Sequence, residues 1–244
     1  SGEGCGEHGG RPGFVQHWVH NGFVNVGDEK MSKSLGNFFT IRDVLETYEA
    51  RCLRWFLVGS HYRSGISFTR RGMEEASDRL YYIYQTLLDS AELLDGANPG
   101  EAAGAWEGAG AVVAEVDRAL CDDLNTPLAI SALSEPLKAM NDLMHTKKGR
   151  KTKRRLGQLA ALRAELEEVL DLLGVGTQDY GAALEDIRGK ALVRCGITED
   201  AIQEKIKARA AARAEKQYEV ADGIRKDLEA LGISLQDVPG GTVW

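Results

Sequence analysis

A chain of 244 residues is too long for one small domain and long enough for two or three, each burying a core of its own. With 43% hydrophobic and 27% charged residues it reads as globular, and no apolar run approaches the roughly 18 to 20 residues that a membrane span needs, which excludes a helical membrane protein. A formal net charge of −7 argues against a uniformly basic nucleic-acid binder.

The opening SGEGCGEHGGRPG is rich in glycine and has neither the apolar core of a secretory signal nor the Arg-rich face of a transit peptide. Starting at Ser1 rather than Met, it reads as a chain that begins inside a longer protein. Cys5, Cys52, Cys121 and Cys195 lie far apart without a C-x-x-C pair, which argues against a zinc ribbon and a disulfide framework and for a reducing compartment. Cys52, Cys121 and Cys195 read as packing residues, and Cys5, Glu7 and His8 in the Gly-rich end are not assigned a metal.

Residues 14 to 26, FVQHWVHNGFVNV, predict a strand or hairpin that turns at Gly27-Asp28 and leaves the following KMSKS in a loop. Ile41, Val44 and Leu45, then Leu53, Phe56 and Leu57, follow helical spacing. Met73, Ala76, Leu80, Ile83, Leu87, Ala91 and Leu94 make one face of a long amphipathic helix. Asp95 to Gly110 is a Gly- and Ala-rich connection to a helix at about Val112 to Leu120. Asn125-Thr126-Pro127 starts another helix, with Ile130, Leu133, Leu137, Met140 and Leu143 on its stripe and a kink expected at Pro136.

Lys147 to Arg155, KKGRKTKRR, places seven basic residues in nine positions and fits either a solvated loop or a phosphate contact. The helix carrying Leu156, Leu159, Leu162, Leu166, Val169, Leu170 and Leu173 stops at Gly174. Thr177 to Lys190 reads as a weakly patterned linker. Ile202, Ile206 and Ala210 begin a further helix; Tyr218, Ile224, Leu228 and Leu231 form the next, which ends at Gly232. ISLQDV then alternates like a strand, and PGG turns the chain into Thr242-Val243-Trp244.

Two lysines three apart, Lys30 and Lys33, flanked by Ser32 and Ser34, put mobile ammonium groups where a polyphosphate can lie. Attack on the α-phosphate of ATP builds negative charge that such groups stabilise, and a loop can close on the nucleotide and release product. Lysines at this spacing are commonplace on surfaces, but the whole string Lys30-Met31-Ser32-Lys33-Ser34 followed by Leu35-Gly36-Asn37 resembles the signature loop of class I aminoacyl-tRNA synthetases. HWVHNGFVNVGDEKMSKSLGNFFTIRDVLETY, HYRSGISFT, CDDLNTP and DLEALGISLQDVPGGTVW together resemble the bacterial-type cysteinyl-tRNA synthetases, in their C-terminal portion.

The resemblance implies ATP as a substrate bound by Lys33 with Lys30 in support, and cysteine and tRNA(Cys) as partners, with no membrane or DNA partner. It also implies a nucleotide loop of the H-I-G-H type and a substrate-thiolate-binding zinc ion whose ligands lie upstream of this sequence, so no metal ligand is assigned here. The compartment it implies is cytoplasmic, or organellar in a eukaryote. The expected fold is mainly α: the end of a Rossmann-type catalytic domain with the KMSKS loop (1–64), an antiparallel helical bundle of DALR type (65–175), a linker (176–194) and a small α+β anticodon-binding module (195–244).

Within that module Tyr218 and Asp222 share a helix face, with Arg213 near the preceding turn, a set able to stack on and hydrogen-bond an unpaired base. The resemblance places anticodon readers at Arg213, Tyr218, Asp222 and Asp237, with Tyr218 standing where the family often has tryptophan. Two other readings stay open: a tRNA-binding fragment without catalysis, and a mycothiol-pathway cysteine ligase, which shares the loop but against which residues 195 to 244 speak.

Overall fold

In this computed structural model the described residues are 17–26, 29–32, 34, 40–96, 108–238 and 241–244. The Val-rich run after Phe23 forms β1 (Val24–Val26), which pairs antiparallel with β2 (Glu29–Lys30), Asn25 opposite Lys30. On its other side β1 pairs parallel with β3 (Ile66–Ser67), giving the order β2-β1-β3. Gly22 makes this approach feasible: its N–H donates to the Tyr62 carbonyl at 2.7 Å, and a Cβ there would lie 2.2 Å from the carbonyl oxygen of Ser64. The expected loop is thereby corrected at its first residue. Lys30 belongs to a strand, because β1 needs a partner for its backbone groups, and the Met31 N–H continues the ladder to Val24 at 3.0 Å. Lys33 lies outside the described residues.

Helix α1 (Ile41–Thr47) starts in a capping box between Thr40 and Asp43, and α2 (Ala50–Val58) starts where the Glu49 carboxylate accepts from the amides of Arg51 and Cys52. The long α3 (Arg70–Asp95) buries Met73, Ala76, Leu80, Ile83 and Leu87, as its spacing predicts, and Tyr84 beside them. Most of the Gly/Ala-rich connection that follows lies outside the described residues. Gly110, at φ 84, gives α4 (Ala111–Cys121) no side-chain cap, so a carboxylate from elsewhere takes that role: buried Glu165 accepts the Val112 N–H at 2.8 Å.

Asn125 caps α5 (Thr126–Ser131) by accepting the Leu128 N–H at 3.1 Å, with Pro127 in the first turn. The expected kink is a full interruption: α5 ends at Ser131 and α6 (Ser134–His145) begins anew. Pro136 lacks the N–H that would bond the carbonyl of Ala132, so the break falls one turn upstream of the proline, which sits where a first-turn amide has no acceptor anyway. After a 3-10 turn at Gly149–Lys151, α7 (Arg155–Leu172) buries Leu159, Leu162, Leu166, Val169 and Leu170 and stops at Gly174, where φ is 71.

The predicted linker is also corrected. Residues Tyr180–Cys195 form α8, started by Asp179, which accepts the Ala182 N–H at 2.9 Å. Tyr180, Ala183, Leu184 and Ile187 are buried at helical spacing, and burial outweighs the low propensity of Gly181 and Gly189. Helix α8 also ties the chain together. Lys190 donates to the carbonyls of Leu45 and Glu46 at 2.6 and 3.1 Å, and Arg194 donates to that of Thr47 at 2.7 Å, satisfying the C-terminal end of α1.

Helices α9 (Glu199–Ala214) and α10 (Tyr218–Ala230) and the hairpin β4 (Gln236–Val238) and β5 (Gly241–Val243) form the C-terminal module. Ile202, Ile206, Leu228, Ile233 and Leu235 make its core. Ala210, expected on the apolar face of α9, is exposed, and Arg209 is buried in its place.

Candidate functional site

The front of the KMSKS string is held by the three-stranded sheet. Lys30 places its ammonium 3.8 Å from the centroid of the exposed Phe23 ring, and the hydroxyls of Ser32 and Ser34 lie 3.2 Å apart. The β3 side of the sheet is anchored to the bundle. Tyr62 donates to Asp123 at 2.6 Å, and Arg63 grips the same carboxylate through Nε at 2.6 Å and Nη2 at 3.1 Å. The hydrogen bonds from Arg63, then Tyr62, hold the Asp123 carboxyl down at about 2. Asp123 sits at φ 55 in the turn between α4 and α5, a conformation that aspartate tolerates better than most residues. The strings HYRSGISFT and CDDLNTP, about sixty residues apart, therefore meet in one ion-pair cluster. Spacing carries no signal for such a meeting.

In the C-terminal module the predicted residues fall into two groups. Arg213 and Asp237 are brought together at 2.8 Å. Tyr218, 61% exposed, and Asp222, also exposed, lie a turn apart on α10 and make no side-chain hydrogen bond with that pair. The residue that sequence reasoning missed is Arg209. It donates to both Asp237 oxygens, at 2.8 and 3.0 Å, while Thr242 donates to Oδ1 at 2.8 Å. With Arg213 on Oδ2, the four acceptor positions of the carboxylate are filled. Hydrogen bonds from Arg209 first, then Thr242, hold the Asp237 carboxyl well below the usual carboxylate range. One signal was present in the sequence: Arg209 and Arg213 stand four apart and so share a helix face.

Among the described residues no group of three or more His, Cys, Asp or Glu side chains is placed to hold a metal ion. Cys5, Glu7 and His8 lie outside the described residues, and no step is assigned to a metal. Cys52 is fully buried beside Ser77, and burial pushes its thiol up to about 11, so it behaves as a core residue. Cys121 is exposed and Cys195 half-buried, both as free thiols.

Residues 5–78 match the model of the class I tRNA synthetase (C) catalytic domain, and residues 115–178 match the DALR domain. A chloroplastic/mitochondrial cysteine–tRNA ligase of Zea mays is 49% identical over 94% of this chain and 42% of its own length. Its counterpart in Arabidopsis thaliana is 45% identical over 94% of this chain and 42% of its own length. The chain belongs to the cysteinyl-tRNA synthetase family. Bacterial cysteine–tRNA ligases match as well, that of Anaeromyxobacter sp. (strain Fw109-5) being 42% identical over 95% of this chain and 46% of its own length. The chain thus corresponds to a C-terminal portion and spans less than half the length of the relatives it matches. The catalytic-domain match ends at residue 78, inside α3, although α3 packs as part of the bundle. No helix among the described residues is long and apolar enough to cross a membrane.

Proposed function

We propose that this chain provides the second phosphate-binding loop and the tRNA-anchoring region of a cysteine–tRNA ligase. Such an enzyme attaches cysteine to tRNA(Cys) through a cysteinyl adenylate made from ATP. The observation that carries the proposal is the union, in one chain, of a KMSKS string whose Lys30 is held in a sheet with a C-terminal helix pair and hairpin, along a sequence that matches cysteine–tRNA ligases over 94% of its length.

In this reading Lys33, supported by Lys30, neutralises charge developing on the α-phosphate and the leaving pyrophosphate. The β2-β1-β3 sheet fixes where the loop begins, and Tyr62 and Arg63 on Asp123 transmit that position to the bundle. Zinc, where the complete enzyme carries it, would bind through residues other than those described, and selects a thiolate over a hydroxyl because soft ligands favour it. The compartment is the cytoplasm or, as for the plant relatives, the chloroplast and mitochondrion.

Anticodon reading falls to Tyr218, Asp222, Arg213 and Asp237. The exposed Tyr218 ring is available to stack on an unpaired base, and Asp222 is available to accept from a base edge. Arg213 and Asp237 satisfy each other in the free protein, so a base that bonds either one exchanges with the other, while Arg209 keeps Asp237 in place.

The test of the loop is adenylate formation by the complete synthetase carrying Lys33→Ala. A loss of pyrophosphate exchange of about a hundredfold is expected for removal of one charge-stabilising donor, and unchanged exchange ends the assignment. A second reading, that these 244 residues bind tRNA without catalysing by themselves, is supported by the 42 to 46% of the relatives' length that they match.

A further inference from the structure

The basic run from Lys147 to Arg155 is used by neither the nucleotide loop nor the anticodon module, yet it is firmly built. Thr146 accepts the Gly149 N–H at 2.8 Å, and Gly149 packs so closely that a Cβ would stand 1.8 Å from the carbonyl oxygen of Asp142. Arg150 donates to the Met144 carbonyl at 3.2 Å and Arg155 to that of Leu143 at 2.7 Å, so these two hold the turn against the C-terminal end of α6.

The other five cations are treated differently. Lys147, Lys148, Lys151, Lys153 and Arg154 are all exposed, and none has a side-chain hydrogen bond or an ion pair among the described residues. Elsewhere on the surface Arg70, Arg71, Arg163 and Arg225 each pair with a glutamate four residues on. The first turn of α7 adds no acid that could neutralise the run. A chain of net charge −7 thus keeps five exposed cations on a fixed turn with no ion pair among the described residues. KKGRKTKRR contains no aromatic ring to stack on a base and no aliphatic side chain to enter a lipid interface. What it offers is point charge alone, which matches a phosphate backbone.

We propose that the turn between α6 and α7 is a docking site for the sugar–phosphate backbone of the tRNA, with Lys147, Lys148, Lys151, Lys153 and Arg154 contacting phosphates rather than bases. The proposal rests on the tRNA-binding reading above but assigns it a surface separate from the anticodon readers. It strengthens binding without contributing to discrimination between anticodons.

The test uses the full 244-residue chain and a tRNA(Cys) transcript, with affinity measured by fluorescence anisotropy between 50 and 200 mM KCl. One variant carries Lys147→Gln, Lys148→Gln, Lys151→Gln, Lys153→Gln and Arg154→Asn; asparagine suits the φ of 54 at position 154. Arg150 and Arg155 stay, so the turn keeps its hold on α6, and an unchanged circular dichroism melt checks this. The expected result is an affinity about tenfold or more weaker and a plot of log K against log salt shallower by about 2 to 4, with the preference for tRNA(Cys) over an anticodon-swapped transcript kept. An unchanged slope overturns the proposal. So does loss of poly-glutamate binding while tRNA binding stays intact, which would make the turn a site for an acidic protein. Failure of the unsubstituted chain to prefer its own anticodon refutes the anticodon reading alone, because the slope is read independently; failure to bind any tRNA refutes both.

Discussion

In the bundle, Leu80, Ile83, Leu137, Leu159 and Leu166 are enclosed on all sides by other apolar side chains, and the core continues through α8 to Ile187. The C-terminal module encloses Ile202, Ile206, Leu228, Ile233 and Leu235, and adds a carboxylate gripped by two arginines and a threonine. A unit of about fifty residues has little apolar surface to bury, so a larger share of its order falls to charge-assisted hydrogen bonds. The contrast bears on function, since two of the proposed base readers, Arg213 and Asp237, belong to that polar clamp, whereas the bundle serves as a frame.

The largest effect that sharpens this contrast belongs to the frame. Leu166→Ala removes a fully buried side chain from the centre of α7 and is expected to lower stability by about 2 to 5 kcal/mol, read from urea unfolding. A loss below about 1 kcal/mol would mean that the bundle collapses around the gap and is less tightly packed than its burial indicates.

Next comes the clamp, whose weakness is acid. Because the folded Asp237 carboxyl titrates below its ordinary value of 3.8, its stabilising contribution is fully present above about pH 4 and is lost as pH falls through the folded value. Hydrogen-exchange protection of β4 and β5 should therefore decline below about pH 4 before protection in α3 and α7 does. Arg209→Met should reduce hairpin protection about tenfold to a hundredfold at neutral pH, the range for a lost charge-assisted hydrogen bond, and should remove most of the acid dependence. Protection that stays flat between pH 5 and 2 would show that apolar packing alone holds the hairpin.

The same contrast explains what could be read from the sequence. Apolar periodicity is a local signal, and it located α3 and α7 with their buried faces and the stops at Gly174 and Gly232, whereas on α10 it found the helix but not its face, since Leu228 is buried while Tyr218 and Leu231 are exposed. It failed at α8, where Gly181, Gly189 and charged residues dilute the pattern and the buried Tyr180, Ala183, Leu184 and Ile187 gain their partners through tertiary packing. It failed at residues 209 and 210 as well, since an arginine is buried there by a bond to Asp237, 28 residues on. The residue types of the loop lysines and of Tyr218 were legible as candidate chemistry. The pairing of Asp123 with Tyr62 and Arg63 was not, because a polar contact between distant segments leaves no periodic trace.

The smallest effect tests whether the module's marginal packing is itself used. Gly223 lies exposed within α10, and a Cβ there would meet nothing within 4 Å. Gly223→Ala should therefore stabilise the module by about 0.5 to 1 kcal/mol through helix propensity alone and leave the bundle unchanged, as local hydrogen exchange would show. Tyr218 and Asp222 stand on the same helix just before the glycine, Asp222 directly beside it. If α10 reads the anticodon as a rigid rod, the stiffer variant binds tRNA(Cys) at least as well as the unsubstituted chain. If α10 must bend for the ring and the carboxylate to reach one base, the same substitution weakens binding while it stabilises the fold, and the opposite signs of the two measurements separate the cases.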